Sequence, residues 1–355
     1  MINKRLNDND IKAFRGLLEK SNDVVLTAHV RPDGDAVGST LGLARVLSNI
    51  GKNVAVVSPD LPPRSLNFIT RDQTLVSFSQ YPDYVRKVVD DADLIICCDF
   101  NLPSRQDQLE PVIQGSSAPK VLIDHHLNPE AFAEVTFSYP EMSSTCELAF
   151  RVICALGLFN EVDAVAAQAL LTGLITDTRN FTVNCSSPDI YEIMGQLIAC
   201  GADKTKIIRE ALQLKSLDSI KLQAYAIYEK MEIFEQHHAA VISINAEELK
   251  RFNYERGDSE GLVNAPLDIR GITYSIFLRE DSDCVKVSAR SVDGFPVNAI
   301  CNDLYGGGGH LQAAGGEYYG SLEDCRRILI EAMPNYDRYL RTNSDSKQKQ
   351  TNRKK

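Results

Sequence analysis

Short apolar runs punctuate the first half of the chain. Residues 23–30, 53–58, 93–99 and 120–124 each carry a compact, largely β-branched run bounded by turn residues. That is the pattern of strands buried on both faces. Residues 36–50 show helical spacing, and Gly51 stops that helix. Residues 161–178 form a long, Ala-rich apolar helix of good intrinsic propensity. Strands alternating with helices predict an α/β domain, a parallel sheet with helices on both faces. Residues 187–219 read as helical. After Met231 the texture changes: residues 239–245, 274–280 and 285–291 read as strands and 322–332 as a last helix. The predicted layout is a catalytic-type domain over 1–186, a helical linker over 187–225, a smaller α+β domain over 226–340 and a tail over 341–355.

Composition sharpens this picture. A chain of 355 residues suits two domains. No apolar run approaches the roughly 18–20 residues that cross a bilayer, and the first residues lack the apolar core of a secretory signal. A cytoplasmic protein without membrane association is expected. The nine cysteines have irregular spacing and no C-x-x-C pair, so reduced, mostly buried thiols are expected. Cys97 and Cys98 lie inside a strand and belong to its packing.

The net charge is −10. The last fifteen residues hold six Lys/Arg against one Asp, net +5, which leaves −15 on the remainder. The tail is expected to be disordered and solvated. An acidic body argues against coating long duplex nucleic acid but admits a small phosphorylated substrate.

The chemistry sits where the strands end. His29, Asp33 and Asp35 follow the first strand, in a segment where Pro32 and Gly34 predict a loop that folds around an ion. Asp99 closes another strand, and Asp124, His125 and His126 close a third. Asp177 lies toward the end of the long helix. In an open parallel sheet, ligands bind beyond the carboxyl ends of the strands, so these groups converge on one rim. Crowded carboxylates repel one another and call for divalent cations. Oxygen and imidazole donors without thiolate favour Mn²⁺, with Mg²⁺ as the alternative. Six candidate ligands exceed the needs of one ion and suit two.

The set His29–Asp33–Asp35, Asp99, Asp124–His125–His126 and Asp177 resembles the DHH phosphoesterase superfamily. That superfamily includes RecJ-like exonucleases, manganese-dependent inorganic pyrophosphatases and the nanoRNases that also act as pAp phosphatases. The segment Gly306–Gly316 resembles the glycine-rich motif of the DHH-associated substrate domain. The residues around Gly261 and from Ser288 to Asn298 look most like the nanoRNase/pAp phosphatase branch.

The resemblance implies one ion on His29, Asp33 and Asp99. It implies a second on Asp35, Asp99, His125 and Asp177, with Asp99 bridging. Asp124 would orient its neighbours, and His126 would contact the scissile phosphate or help the leaving group. Asp99, Asp124 and His126 are thus the implied catalytic residues. The implied reaction is in-line hydrolysis of a phosphate ester by hydroxide formed at the two cations. The implied substrates are short oligoribonucleotides, cut to mononucleotides, and 3′-phosphoadenosine 5′-phosphate, cut to AMP. Rival readings are a cyclic or linear dinucleotide phosphodiesterase, a pyrophosphatase, and a nucleotide-binding regulatory module.

The glycine run has physics of its own. Gly306 to Gly309 let backbone N–H groups approach an anion closely. His310 follows and can donate to a phosphate, and the guanidinium of Arg290, on the strand upstream, forks onto phosphate oxygens. Ser288, Arg290, Gly307, Gly308, Gly309 and His310 are the expected substrate-binding residues, facing the acidic rim across a cleft. Ser144 and Glu147 have capping-box spacing, so Ser143–Thr145 reads first as a helix start. His237 and His238 read as a surface turn without a carboxylate partner. A helical surface of the first domain could support a homodimer.

Overall fold

The computed structural model describes residues 6–71, 75–255 and 257–340. The basic tail expected over 341–355 lies outside the described residues. The chain divides into two compact units, Met1–Leu214 and Lys215–Lys355.

The first unit is built on six strands: β1 (Asp23–Thr27), β2 (Asn53–Ser58), β3 (Leu75–Ser77), β4 (Leu94–Cys98), β5 (Lys120–Asp124) and β6 (Val135–Ser138). All pair in parallel, in the order β3-β2-β1-β4-β5-β6. The strand order reverses between β1 and β4, which makes their carboxyl ends a topological switch point. Alternate residues feed two cores. Val24, Leu26, Ile96, Cys98, Val121 and Ile123 pack with the helices Gly34–Asn49, Thr145–Leu156 and Ala164–Asp177. Val25, Ile95, Cys97 and Leu122 pack on the opposite face with the helices Pro82–Asp90 and Glu110–Gly115. Burial on both faces is why these strands read as unbroken apolar runs.

The helices Pro188–Ala199 and Lys204–Ile207 also belong to this unit, whereas Leu217–Glu229 opens the second. All nine cysteines are free thiols. Among the described residues no helix is long and apolar enough to cross a membrane.

One local expectation is corrected. Residues 33–35 do not form a loop: Asp33 is the N-cap of a helix that begins at Gly34. Pro32 precedes the cap, where it breaks no helical hydrogen bond. The Asp33 carboxylate accepts from the backbone N–H groups of Asp35 (3.0 Å) and Ala36 (3.1 Å), which stabilises the first turn despite Gly34.

The second unit is a mixed sheet of β7 (Met231–Phe234), β8 (Ala239–Ile244), β9 (Tyr274–Glu280), β10 (Val285–Ser291), β11 (Gly308–His310) and β12 (Ala313–Tyr318). Its order is β11-β12-β10-β9-β8-β7, antiparallel except for the β8–β9 pair. The helices Val297–Tyr305 and Leu322–Ala332 cover one face. On the other, Leu222, Ala226, Leu262 and Val263 cover Ile242, Ile244 and Phe277.

The glycine-rich segment forms a hairpin, with β11 as its edge strand. One further expectation changes here. His237 has a carboxylate partner, its Nδ1 lying 2.9 Å from Asp337 Oδ1. That contact spans a hundred positions, and nothing local signals it.

Candidate metal centre

The strand ends β1, β4 and β5 do deliver their side chains to one place. Ligand atoms of His29, Asp33 and Asp99 lie within 4.8 Å of one another, as do those of Asp35, His125 and Asp177. Asp99, His125 and His126 form a third such group. His125 Nε2 stands 3.5 Å from Asp177 Oδ2, 3.8 Å from Asp99 Oδ1 and 3.9 Å from Asp35 Oδ2. His29 Nε2 stands 3.4 Å from Asp99 Oδ2. Asp99 therefore borders both groups, one oxygen toward His29 and the other toward His125. Its backbone is left-handed, φ 66°, an uncommon conformation for a non-glycine residue and one that clusters at functional sites.

Both imidazoles are oriented by their other nitrogen. His29 Nδ1 lies 2.7 Å from the Val30 carbonyl, and His125 Nδ1 lies 3.3 Å from the Met142 carbonyl. A carbonyl only accepts, so in each case Nδ1–H donates and Nε2 is left as the ligand atom.

The carboxylates are held as firmly. Asp35 is buried, and its two oxygens accept from the backbone N–H groups of Thr145 (2.6 Å) and Cys146 (2.9 Å). Thr145 Oγ1 donates to Asp99 Oδ1 at 2.9 Å. The segment before Thr145 is fixed by Ser144, which caps the helix, and by Glu147, which accepts from the Ser143 N–H and hydroxyl. Glu147 is in turn anchored on the fully buried Arg151. The capping expected for Ser144 is present. The contact of Thr145 with Asp35 and Asp99 is an addition that helix-start spacing does not reveal.

The approach of Asp35 to Asp177 depends on glycine. A Cβ on Gly34 would meet Thr176 Oγ1 at 2.3 Å, and one on Gly38 would meet the Ala169 carbonyl at 2.5 Å. A Cβ on Gly173 would meet Cys146 Sγ at 2.2 Å and Asp35 Oδ1 at 2.7 Å. The helices Gly34–Asn49 and Ala164–Asp177 thus touch backbone to backbone. The spacing of Gly34, Gly38 and Gly42, every fourth residue, was the available signal.

Electrostatics marks the cluster as cation-seeking. Burial, then the neighbouring Asp99 charge, pushes the Asp35 carboxyl up to about 7. Burial and Asp35 likewise raise Asp177 well above the ordinary carboxyl range. Burial works against a charged His125, but Asp35, Asp177 and Asp99 outweigh it and raise the imidazole to about 9. Burial also opposes charge on Asp99, yet the surrounding His29, His126 and His125 hold it below the usual range. Without a cation, the group retains protons to offset its own repulsion.

His126 borders the cluster too, its Nδ1 3.7 Å from Asp99 Oδ1, and Asp124 lies behind it. Asp124 is completely buried, accepts from the His126 backbone N–H at 3.1 Å, and faces His126 Nδ1 at 2.7 Å. Arg105, on the turn Pro103–Leu109, places Nη1 3.1 Å from His126 Nε2. Sequence reasoning missed Arg105, which lies six positions beyond Asp99 with no recognisable pattern around it.

In the second unit, strand register arranges the expected binding residues. His310 pairs with Ala313, Ala313 with Arg290, and Arg290 with Ser275. Gly308 pairs with Gly315, Gly315 with Ser288, and Ser288 with Phe277. Directly paired residues share a face, so Ser288, Arg290, Gly308 and His310 line one surface floored by Ala313 and Gly315. Gly307 and Gly309 serve close packing: a Cβ on Gly307 would lie 2.0 Å from the Gly315 carbonyl, and one on Gly309 would lie 2.6 Å from that of Ala313.

A doubly wound sheet with Asp and His at the switch point, followed by a mixed-sheet domain, defines a class, and comparison with known proteins agrees. The profile described as "DHH family, N-terminal domain" matches residues 23–201, and that of the DHHA1 domain matches residues 237–334. The chain belongs to the DHH family. It is 30% identical over 311 residues, 87% of this chain and 89% of the relative, to the bifunctional oligoribonuclease and PAP phosphatase NrnA of Thermus thermophilus. It is 27% identical over 92% of its length to the cyclic-di-AMP phosphodiesterase PdeA of Listeria monocytogenes, of which it spans 49%. The crystal structure of an exopolyphosphatase-related protein from Bacteroides fragilis superposes with a TM-score of 0.91 at 38% identity, covering 94% of this chain and 98% of that one.

Proposed function

We propose that the protein is a two-metal phosphoesterase that cuts short oligoribonucleotides to mononucleotides and 3′-phosphoadenosine 5′-phosphate to AMP. The observation that carries this reading is the pair of ligand groups sharing the neighbourhood of Asp99. The donors are carboxylate oxygen and imidazole nitrogen, which suits Mn²⁺ first and Mg²⁺ second. His29, Asp33 and Asp99 would hold one ion; Asp35, Asp99, His125 and Asp177 would hold the other. When bound, such a pair neutralises charge on a phosphate and makes water acidic near neutral pH.

The chain's own groups supply order. Val30 and Met142 carbonyls fix the imidazoles, Thr145 fixes Asp99, and Asp124 fixes His126. Ser288, Arg290, His310 and the glycines from Gly307 to Gly309 would bind the nucleotide. Similarity to the bifunctional relative over most of both chains supports the substrate pair. The reading places the enzyme in the cytoplasm. It allows a homodimer through the helical surface of the first unit, where Tyr191 and Ile198 are exposed.

The second reading, cleavage of cyclic or linear dinucleotides, is favoured by the similarity to the Listeria enzyme. The test is purified protein with Mn²⁺ and, separately, labelled trinucleotide, adenosine bisphosphate and cyclic di-AMP. Release of mononucleotide and AMP is expected. Exclusive turnover of the cyclic dinucleotide would install the second reading, and no turnover of any of them would reject both.

A further inference from the structure

Asp124, His126 and Arg105 form a linear relay of hydrogen bonds at the edge of the metal cluster. Asp124 is fully buried and acceptor-only when ionised, so His126 Nδ1 carries the hydrogen of that contact. Arginine donates and never accepts, so His126 Nε2 accepts from Arg105 Nη1. The imidazole is therefore engaged at both nitrogens, and the group presented beyond it is a guanidinium. Arg105 is held at its backbone as well: its carbonyl accepts from the Val30 N–H at 2.7 Å, next to His29. Nη1 also reaches the Asp99 carbonyl at 3.5 Å.

Arg105 borders Asp99 and, through His126, Asp124, yet makes no ion pair with any described carboxylate. Its Nε and Nη2 have no protein partner among the described residues. A half-buried guanidinium at the edge of the cluster with two donors uncommitted points to an anionic ligand. Two adjacent N–H donors match the oxygens of a phosphate.

We propose that Arg105 binds non-bridging oxygens of the substrate phosphate through Nε and Nη2, and that Asp124 and His126 position it there. This rests on the phosphoesterase reading above. It differs from the expectation that His126 itself meets the phosphate or the leaving group: His126 acts as the acceptor that aims Arg105.

The experiment uses the full chain loaded with Mn²⁺ and follows binding of inorganic phosphate, the group released from the cations, by calorimetry alongside hydrolysis of adenosine bisphosphate. Arg105→Lys and Arg105→Gln should bind inorganic phosphate about 10- to 100-fold more weakly, the range for losing charge-assisted hydrogen bonds, with Mn²⁺ stoichiometry unchanged. Added guanidinium should restore part of the Arg105→Gln turnover. His126→Asn, which retains an acceptor, should keep more phosphate affinity than His126→Ala.

Wild-type affinity for inorganic phosphate retained in both Arg105 variants would overturn the proposal. So would variants that lose Mn²⁺ while still binding phosphate as well as wild type. A wild-type protein that neither binds phosphate nor hydrolyses the bisphosphate would instead overturn the phosphoesterase reading, so the two failures are distinct.

Discussion

The two units solve opposite electrostatic problems. The first gathers Asp33, Asp35, Asp99, Asp124 and Asp177 with three histidines beyond the ends of parallel strands, where burial forces some carboxyls to keep their protons. The second spreads Ser288, Arg290 and His310 over a face floored by glycine and alanine. One site is incomplete without cations; the other offers donors and open space. Side chains at strand ends can converge from far apart in sequence. Residues along strands can only form rows. The proposed function puts chemistry in the first unit and recognition in the second, and substitutions should separate the two.

The largest separation should come from Asp99→Asn. Removing the charge that borders both ligand groups should lower turnover by about 10³-fold or more, beyond the loss from a single transition-state donor. Rapid-mixing assays at saturating substrate read this as a fall in kcat. Next, Thr145→Val deletes only the hydroxyl that donates to Asp99. Metal affinity should fall about 10- to 100-fold, as when outer partners of ligands are removed, and Mn²⁺ titration calorimetry checks it. In the second unit, Arg290→Ala should raise KM about tenfold, the value of one charge-assisted contact, and leave the Mn²⁺ titration untouched. A change in metal affinity there would break the division of labour.

A smaller effect is pH-dependent. His125 is raised to about 9 from 6.5, and Asp35 to about 7 from 3.8. The metal-free native state then binds more protons than the unfolded chain between roughly pH 4 and 9, so its stability falls as pH rises through that window. Bound Mn²⁺ displaces those protons, so metal affinity should increase with pH over the same range. Thermal melts with and without Mn²⁺ from pH 5 to 9 should diverge. Parallel curves would contradict the assignment.

Much of this was legible in the chain. β2, β5, β9, β10 and the last helix were readable because apolar period and turn residues agree there. The Asp and His groups were legible because the switch-point rule places strand ends together. β3 and β6 are edges of three and four residues, too short to show a period. The hairpin of β11 and β12 was hidden because glycine carries no hydrophobic signal; only its pairing makes it a strand. Thr145 and Arg105 were hidden for another reason. Their roles arise from contacts made 46 positions away in one case and 21 in the other, which no local pattern encodes.

The proposed chemistry depends on two cations sharing Asp99. Mn²⁺ binding to the full chain, followed by calorimetry and electron paramagnetic resonance on the same samples, tests it most directly. Two ions per chain are expected, with the spectrum of an exchange-coupled pair, and Asp99→Asn should abolish the coupling. A single ion, or two uncoupled ions unaffected by Asp99→Asn, would contradict the account.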